Sequence, residues 1–275
     1  MQKFLADNTS YAKAQKLLQQ SNSLQADVRN WLDMPLPESD FKTVLDAVYD
    51  AEVAEQDAQI GRFLEQLRLS KNWPDTMMVV VADHGDHLGD KNRVNHAFGV
   101  SEALVHVPLL IRDPTGSLPK GQTVDSTVST RRLFHTILQV AKTAVSDESN
   151  LSLLAGEESH AVLAEGQPLN WAIERLERSR PGVVKNLGFD DPARVIYSDN
   201  YKFIVRGAHQ ELYDLQADPG EKKNLVAKMP DLAKQLYAHL QQQTRNLQPV
   251  ADAESHMTAE DDVVRQHLRS LGYME

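Results

Sequence analysis

The densest cluster of chemistry-bearing side chains is Asp83-His84-Gly85-Asp86-His87-Leu88-Gly89-Asp90. A hard divalent cation prefers carboxylate oxygens, and an imidazole can complete its shell. Gly85 and Gly89 let the backbone turn sharply without a Cβ clash, so adjacent side chains can reach one ion. The same stretch also reads as a polar loop in which Asp83 caps a turn, and spacing alone leaves both readings open. His87 reads first as a solvated loop histidine and second as a site residue, and so does His106. Lys91 and Arg93 either draw an anion toward the loop or stay solvated.

An element must place these groups, and one stands directly upstream. Thr76-Met77-Met78-Val79-Val80-Val81-Ala82 is a continuous apolar run of strand length. Such a run predicts a strand buried on both faces, as in a parallel sheet. Ligands in open α/β sheets bind at the C-terminal ends of strands, where Asp83 and His84 stand. Val107–Ile111 is a second strand run. Phe41, Val44, Leu45 and Val48, then Ile60, Phe63, Leu64 and Leu67, recur at helical steps, with Ser39 or Asp40 as the N-cap. A helix over about 129–141 carries Leu133, Phe134, Ile137 and Leu138 on one face. Helix, strand, loop, strand and helix make an α/β layer.

The character changes near 145–160. Short strand segments follow at 161–164, 194–197, 201–205 and 211–215, and Ser198-Asp199-Asn200 suits a hairpin turn. Tyr197, Tyr201, Phe203, Tyr213 and Leu215 are expected on one sheet face, and Asp218, Glu221, Lys222 and Lys223 in a solvated turn. Helices are expected over 10–33, 230–245 and 263–271. The expected domains are therefore 1–150, an α/β portion, and 151–275, a small antiparallel sheet with terminal helices.

Composition narrows the function classes. The 275-residue chain has 29 Lys/Arg and 39 Asp/Glu, a formal charge of −10. No basic face is available to track nucleic-acid phosphates. With no cysteine, disulfides, thiolate zinc sites and a cysteine nucleophile are excluded. No apolar run reaches the roughly 18–20 residues of a membrane helix. The first residues, MQKFLADNTSYAKAQ, carry no apolar signal-peptide core, so the default expectation is a cytoplasmic location.

Three blocks together resemble the sulfatase family of the alkaline-phosphatase-like superfamily. Thr76 to Asp90, TMMVVVADHGDHLGD, is similar to its strand followed by Asp-His-Gly. His96 to Ile111, HAFGVSEALVHVPLLI, is similar to the stretch ending in Val-Pro-Leu-Ile-Ile, with His106 in place of the common arginine. Glu211 to Leu225, ELYDLQADPGEKKNL, is similar to the family's C-terminal block. Helix 49–67 fits as well, with Asp57, Ile60 and Gly61 in register, and the HLRSLGYME ending resembles a common tail of such proteins.

The resemblance implies an alkaline-phosphatase-like α/β fold: a partial mixed or parallel sheet with flanking helices, plus a small C-terminal antiparallel sheet with a helix. It implies a metal-dependent sulfuric ester hydrolase. Asp83 and His84 match the family's metal ligands, usually to calcium (Ca2+), and His96 matches the residue that contacts the sulfate. The substrate would be a small-molecule or glycan sulfate ester. Phosphoester or phosphonate hydrolysis is the alternative within the superfamily, and an inactive binding or assembly module is the third expectation.

Other family parts have no match. The family's nucleophile is a formylglycine made from Cys or Ser. The nearest serine candidate, Ser179-Arg180-Pro181-Gly182-Val183, has Val183 where the motif needs arginine. No strand followed by paired aspartates occurs before residue 76. The expectation is a C-terminal half with a half-present metal site, little or no activity alone, and exposed sheet edges open to self-association.

Overall fold

The computed structural model describes Lys13, Ala14, Lys16, Trp31, Leu32 and residues 40–143, 151–156 and 161–245. Most of the helix expected over 10–33, and all of that over 263–271, lie outside them. The expected helix over 41–67 is α1, Phe41–Arg68. Its first turns bury Phe41, Val44 and Ala47. Its later apolar positions are open: Ile60 is 40% and Phe63 60% exposed. Asp40 is the N-cap, but its side chain does not cap; it pairs with Lys13 at 2.5 Å instead.

The valine-rich run forms β1, Met78–Val81. A short hairpin follows, of β2, His87–Leu88, and β3, Val94–Asn95. Then come α2, Glu102–Val105, and β4, Leu109–Arg112. β1 and β4 pair antiparallel, Val80 opposite Leu110. This departs from the parallel, doubly buried strand that the apolar run predicts: β1 is partly buried, with Val81 40% exposed. An apolar run reports hydrophobicity, whereas ladder direction follows from how the connecting chain returns. Here α2 turns it back. The expected helix near 129–141 is α3, Arg132–Val140.

The C-terminal part is a four-stranded antiparallel sheet in the order β5 (Leu163–Gly166), β6 (Ala193–Ser198), β7 (Tyr201–Arg206), β8 (His209–Asp214). Between β5 and β6 lie α4, Asn170–Ser179, and α5, Val183–Leu187. The β6–β7 hairpin closes on Asp199-Asn200, with Ser198 opposite Tyr201 and Asp199 at φ 50°. Asp tolerates that left-handed conformation better than most residues.

The aromatic residues do not share one face of this sheet. Tyr201 and Phe203 pack with Ile196, Leu212 and α6, Pro230–Thr244. Tyr197, Tyr213 and Leu215 pack on the opposite side with Val195, Ile204 and Val100. Tyr197 pairs with Lys202, so Tyr201 necessarily points the other way. Both faces are therefore buried, one by α6 and one by the segment leading into α2. Fully buried Phe203, Leu212 and Ile196 each contribute roughly 1.5–3 kcal/mol. The described residues up to Leu240 form one compact unit.

A buried ionic network locks α2 to this sheet. Lys202 Nζ lies 2.8 Å from Glu102 Oε1 and 2.8 Å from Glu221 Oε1. Tyr197 donates to Glu102 Oε1 at 2.6 Å, and the Glu102 amide donates to Glu221 Oε2 at 3.1 Å. Burial, then the neighbouring Glu102, pushes the Tyr197 hydroxyl far up, so it remains a donor. Glu221 is thus a buried ionic partner rather than a member of a solvated turn. Lys91, with Nζ 3.7 Å from Glu221 and 4.6 Å from the Tyr213 ring centre, joins it and does not serve as a free anion collector.

Candidate active site

The site loop begins where β1 ends. Gly85 brings its amide to Leu104 O at 2.8 Å. A Cβ on Gly85 would stand 2.1 Å from the Ala103 carbonyl oxygen, so the chain can approach α2 only with glycine there. The loop between Asp83 and Asp86 is thereby pinned to α2, and through α2 to the buried network.

The β2–β3 hairpin then folds the chain back. His87 pairs with Asn95, so Asp86 and His96 are the next residues outward and face each other. His96 Nδ1 lies 3.0 Å from Asp86 Oδ1. The His96 and His84 rings stand 4.3 Å apart, tilted by 36°. The His96 amide is held by the Asn95 side chain. The Asp86 hydrogen bond raises the His96 imidazole above its ordinary value, against an opposing effect of burial.

Donor atoms of His84, Asp86 and His96 all lie within 4.8 Å of one another. Asp83 stands beside them: its Oδ2 is 3.9 Å from His84 Nε2, and its Oδ1 accepts the His84 amide at 2.9 Å. That amide, and then the His84 ring, lower the Asp83 carboxyl. Asp83 is open to solvent, and His84, Asp86 and His96 are about half exposed. The structure therefore brings His84 and His96 together, with Asp83 at the edge, and adds Asp86. Asp86 carried no special signal as a fourth residue of a polar loop; the hairpin register that seats it opposite His96 is the cue.

The other candidates lie elsewhere. His87 is buried, 2% exposed, with Nε2 3.1 Å from the Ser101 hydroxyl; it is a core residue, not a solvated one. His106 is open to solvent, 3.6 Å from Glu102. Ser179 ends α4, and the next turn is closed by Glu177 accepting the Gly182 and Val184 amides.

His96 also lines a cavity of about 200 Å³, walled by Phe98, Phe189, Leu169, Asp191 and Arg206. It lies between the loop after β3 and the C-terminal sheet.

Comparison with known proteins accords with this architecture. Residues 7–143 match the family model described as Sulfatase. Arylsulfatase K of Gallus gallus is 28% identical over 198 residues, covering 69% of this chain and 35% of that protein. Delta 4,5-hexuronate-2-O-sulfatase of Bacteroides thetaiotaomicron is 29% identical over 191 residues, covering 66% and 36%. In fold, the chain superposes on the phosphonate monoester hydrolase of Silicibacter pomeroyi with a TM-score of 0.63 at 21% identity, over 90% of this chain and 50% of that one. The chain thus spans about a third of the length of these curated relatives and half of the structural neighbour. The order of the three sequence blocks, the α/β layer with its C-terminal four-stranded sheet and these matches all agree, and the chain is a member of the sulfatase family within the alkaline-phosphatase-like superfamily.

Proposed function

We propose that this chain forms one side of the active site of a metal-dependent sulfuric ester hydrolase. The observation that carries this is the convergence of His84, Asp86 and His96 donor atoms within 4.8 Å at the end of β1, beside Asp83. Asp83 and His84 hold a divalent cation, and His96 contacts the sulfate ester. The donors fit such an ion: carboxylate oxygens suit calcium or manganese, and imidazole suits zinc. When bound, the cation polarises the ester and neutralises charge on the anion.

The chain's own residues do the rest. Asp86 holds His96 through Nδ1 and fixes the ring, leaving Nε2 to meet the ester's leaving oxygen and give it a proton. Asp86 is thus a positioning residue. The nucleophile and the remaining cation ligands come from a further polypeptide segment, because the chain contains no cysteine and no serine in the required motif.

Calorimetric titration of the chain with calcium, zinc and manganese tests the assignment. Asp83→Ala and His84→Ala should each weaken binding by about tenfold or more, and His96→Gln should leave most of it. Unchanged binding in both of the first two variants sinks the metal assignment. Loss of binding in His96→Gln alone would make His96 a ligand instead.

The second reading is a phosphoester or phosphonate hydrolase, which rests on the shared fold and on the similar geometry of tetrahedral esters. Comparing turnover of aryl sulfate, aryl phosphate and aryl phosphonate, in a protein that includes the missing segment, separates the two. No turnover of any of them would leave the binding-module reading.

A further inference from the structure

The hairpin that seats Asp86 opposite His96 is too small to hold itself. β2 and β3 share two residue pairs, His87 with Asn95 and Leu88 with Val94, and so short a ladder is marginal alone in water. Its base is held from outside: His87 is buried against the Ser101 hydroxyl, and Val94 packs beside Phe41 and Val44 of α1. Its tip, residues 89–93, needs a hold of its own.

Backbone hydrogen bonds close that tip. The Gly89 amide donates to Arg93 O at 2.8 Å, the Arg93 amide to Asp90 O at 2.9 Å and the Asn92 amide to Gly89 O at 3.0 Å. Closure of this kind puts Lys91 at φ 53°, ψ 31° and Asn92 at φ 59°. Asparagine tolerates the left-handed region, whereas lysine adopts it at a cost. On backbone grounds Lys91 is a poor turn residue, which directs attention to its side chain. That side chain leaves the hairpin and lies on the C-terminal sheet, mostly buried. Its Nζ is 3.4 Å from the Tyr213 hydroxyl, 4.6 Å from the Tyr213 ring centre and 3.7 Å from Glu221 Oε2.

The receiving end is rigid. The Glu221 side chain is buried and bound to Lys202, and its own backbone stands at φ 51°. Asp218 Oδ2 accepts the Lys222 and Lys223 amides and pins the turn that carries Glu221. Burial, then the hydrogen bond to Glu211, pushes the Tyr213 hydroxyl well up, so it stays protonated and accepts from Lys91. Two left-handed residues thus present opposite charges to each other, one from the hairpin and one from the turn after β8. We propose that Lys91 is a positioning residue: seated between Glu221 and the Tyr213 ring, it docks the tip of the site hairpin on the C-terminal sheet and so holds Asp86 and His96 beside His84. The C-terminal sheet is then part of the machinery that aligns the site, and Lys91 is its point of attachment.

Three variants of the chain test this by amide hydrogen exchange and NMR. Lys91→Met keeps the stem over the Tyr213 ring and removes the charge. Lys91→Asn suits the left-handed backbone better and lacks the reach. Lys91→Arg keeps charge and reach. Glu221 retains Lys202 at 2.8 Å in all three, so the fold should survive. The Met and Asn variants should each speed exchange of the Gly89 and Arg93 amides by about fivefold or more, with the amides of β6 and β7 unchanged. Both should weaken the nuclear Overhauser effect between the His84 and His96 rings, whose centres are 4.3 Å apart, and Lys91→Arg should restore both readouts. If Lys91 were only a turn residue, asparagine would slow exchange at the tip. Unchanged or slower exchange there, an equal rise throughout β6 and β7, or an unaltered ring contact beside a loosened tip overturns the inference. It rests on the metal-site reading only for what the aligned side chains do. A wild-type chain that binds no cation refutes that reading, while exchange and ring contact still decide the role of Lys91.

Discussion

Lys202 offers the strongest test of how the site is supported. Its ammonium is fully buried and lies 2.8 Å from oxygens of both Glu102 and Glu221. Lys202→Met keeps most of the stem and removes the charge, leaving two carboxylates without their shared partner. Breaking a buried pair in this way costs about 3–5 kcal/mol. Lys91, 3.7 Å from Glu221, compensates in part, and Glu102 reaches some solvent. The lower end, about 3 kcal/mol, is therefore expected, a large share of a typical total of about 5–15 kcal/mol. Urea unfolding followed by circular dichroism measures it, with the slope of the transition checked for constancy. The double variant Lys202→Met with Glu221→Gln should recover part of the loss, because one stranded charge is gone. The network holds α2, and α2 receives the Gly85 amide, so cation binding at the loop should weaken too. A loss below about 1 kcal/mol at constant slope, in the range of an exposed pair, would refute the view that this network is what fixes α2 to the sheet.

Three further outcomes follow from the same geometry. Gly85→Ala should weaken cation binding by tenfold or more while the C-terminal sheet keeps its stability, because the added methyl meets the Ala103 carbonyl and must push the loop away; calorimetry and circular dichroism together check it. Asp86→Asn should lower the His96 titration midpoint seen by NMR, since the hydrogen bond that raises it loses its charge; an unchanged midpoint contradicts the positioning role. Asp113 accepts hydrogen bonds from Thr115, Ser117 and Leu118. Although desolvation alone would raise its carboxyl, these bonds together lower it. A lowered folded value means stability present above the unfolded carboxylate range and lost as pH falls through the folded one. The amide signals of Ser117 and Leu118 should shift with that acid transition, and Asp113→Asn should abolish the shift.

The periodicities of this sequence located α1, β1, α3, α6 and the β6–β7 hairpin, but not α2, α4, α5 or the β2–β3 hairpin, whose segments are too short or too polar to carry a clear period. Four-residue steps mark α1 from Phe41, the valine run marks β1, and Ser198-Asp199-Asn200 marks the β6–β7 turn. These are local signals, written in neighbouring residues, and the ordered blocks around Asp83-His84-Gly85 carried the family as well. Facing was another matter. Strand direction at β1 and β4 depends on the return path through α2. Tyr197 and Tyr201 part to opposite faces because a two-residue turn pairs Tyr197 with Lys202. Glu102 stands 100 residues before Lys202 and 119 before Glu221, and only folding makes the three one buried network. Asp86 meets His96, and Arg206 meets the cavity beside it, for the same reason: side-chain encounters across elements are set by register and packing, which no single stretch of chain encodes by itself.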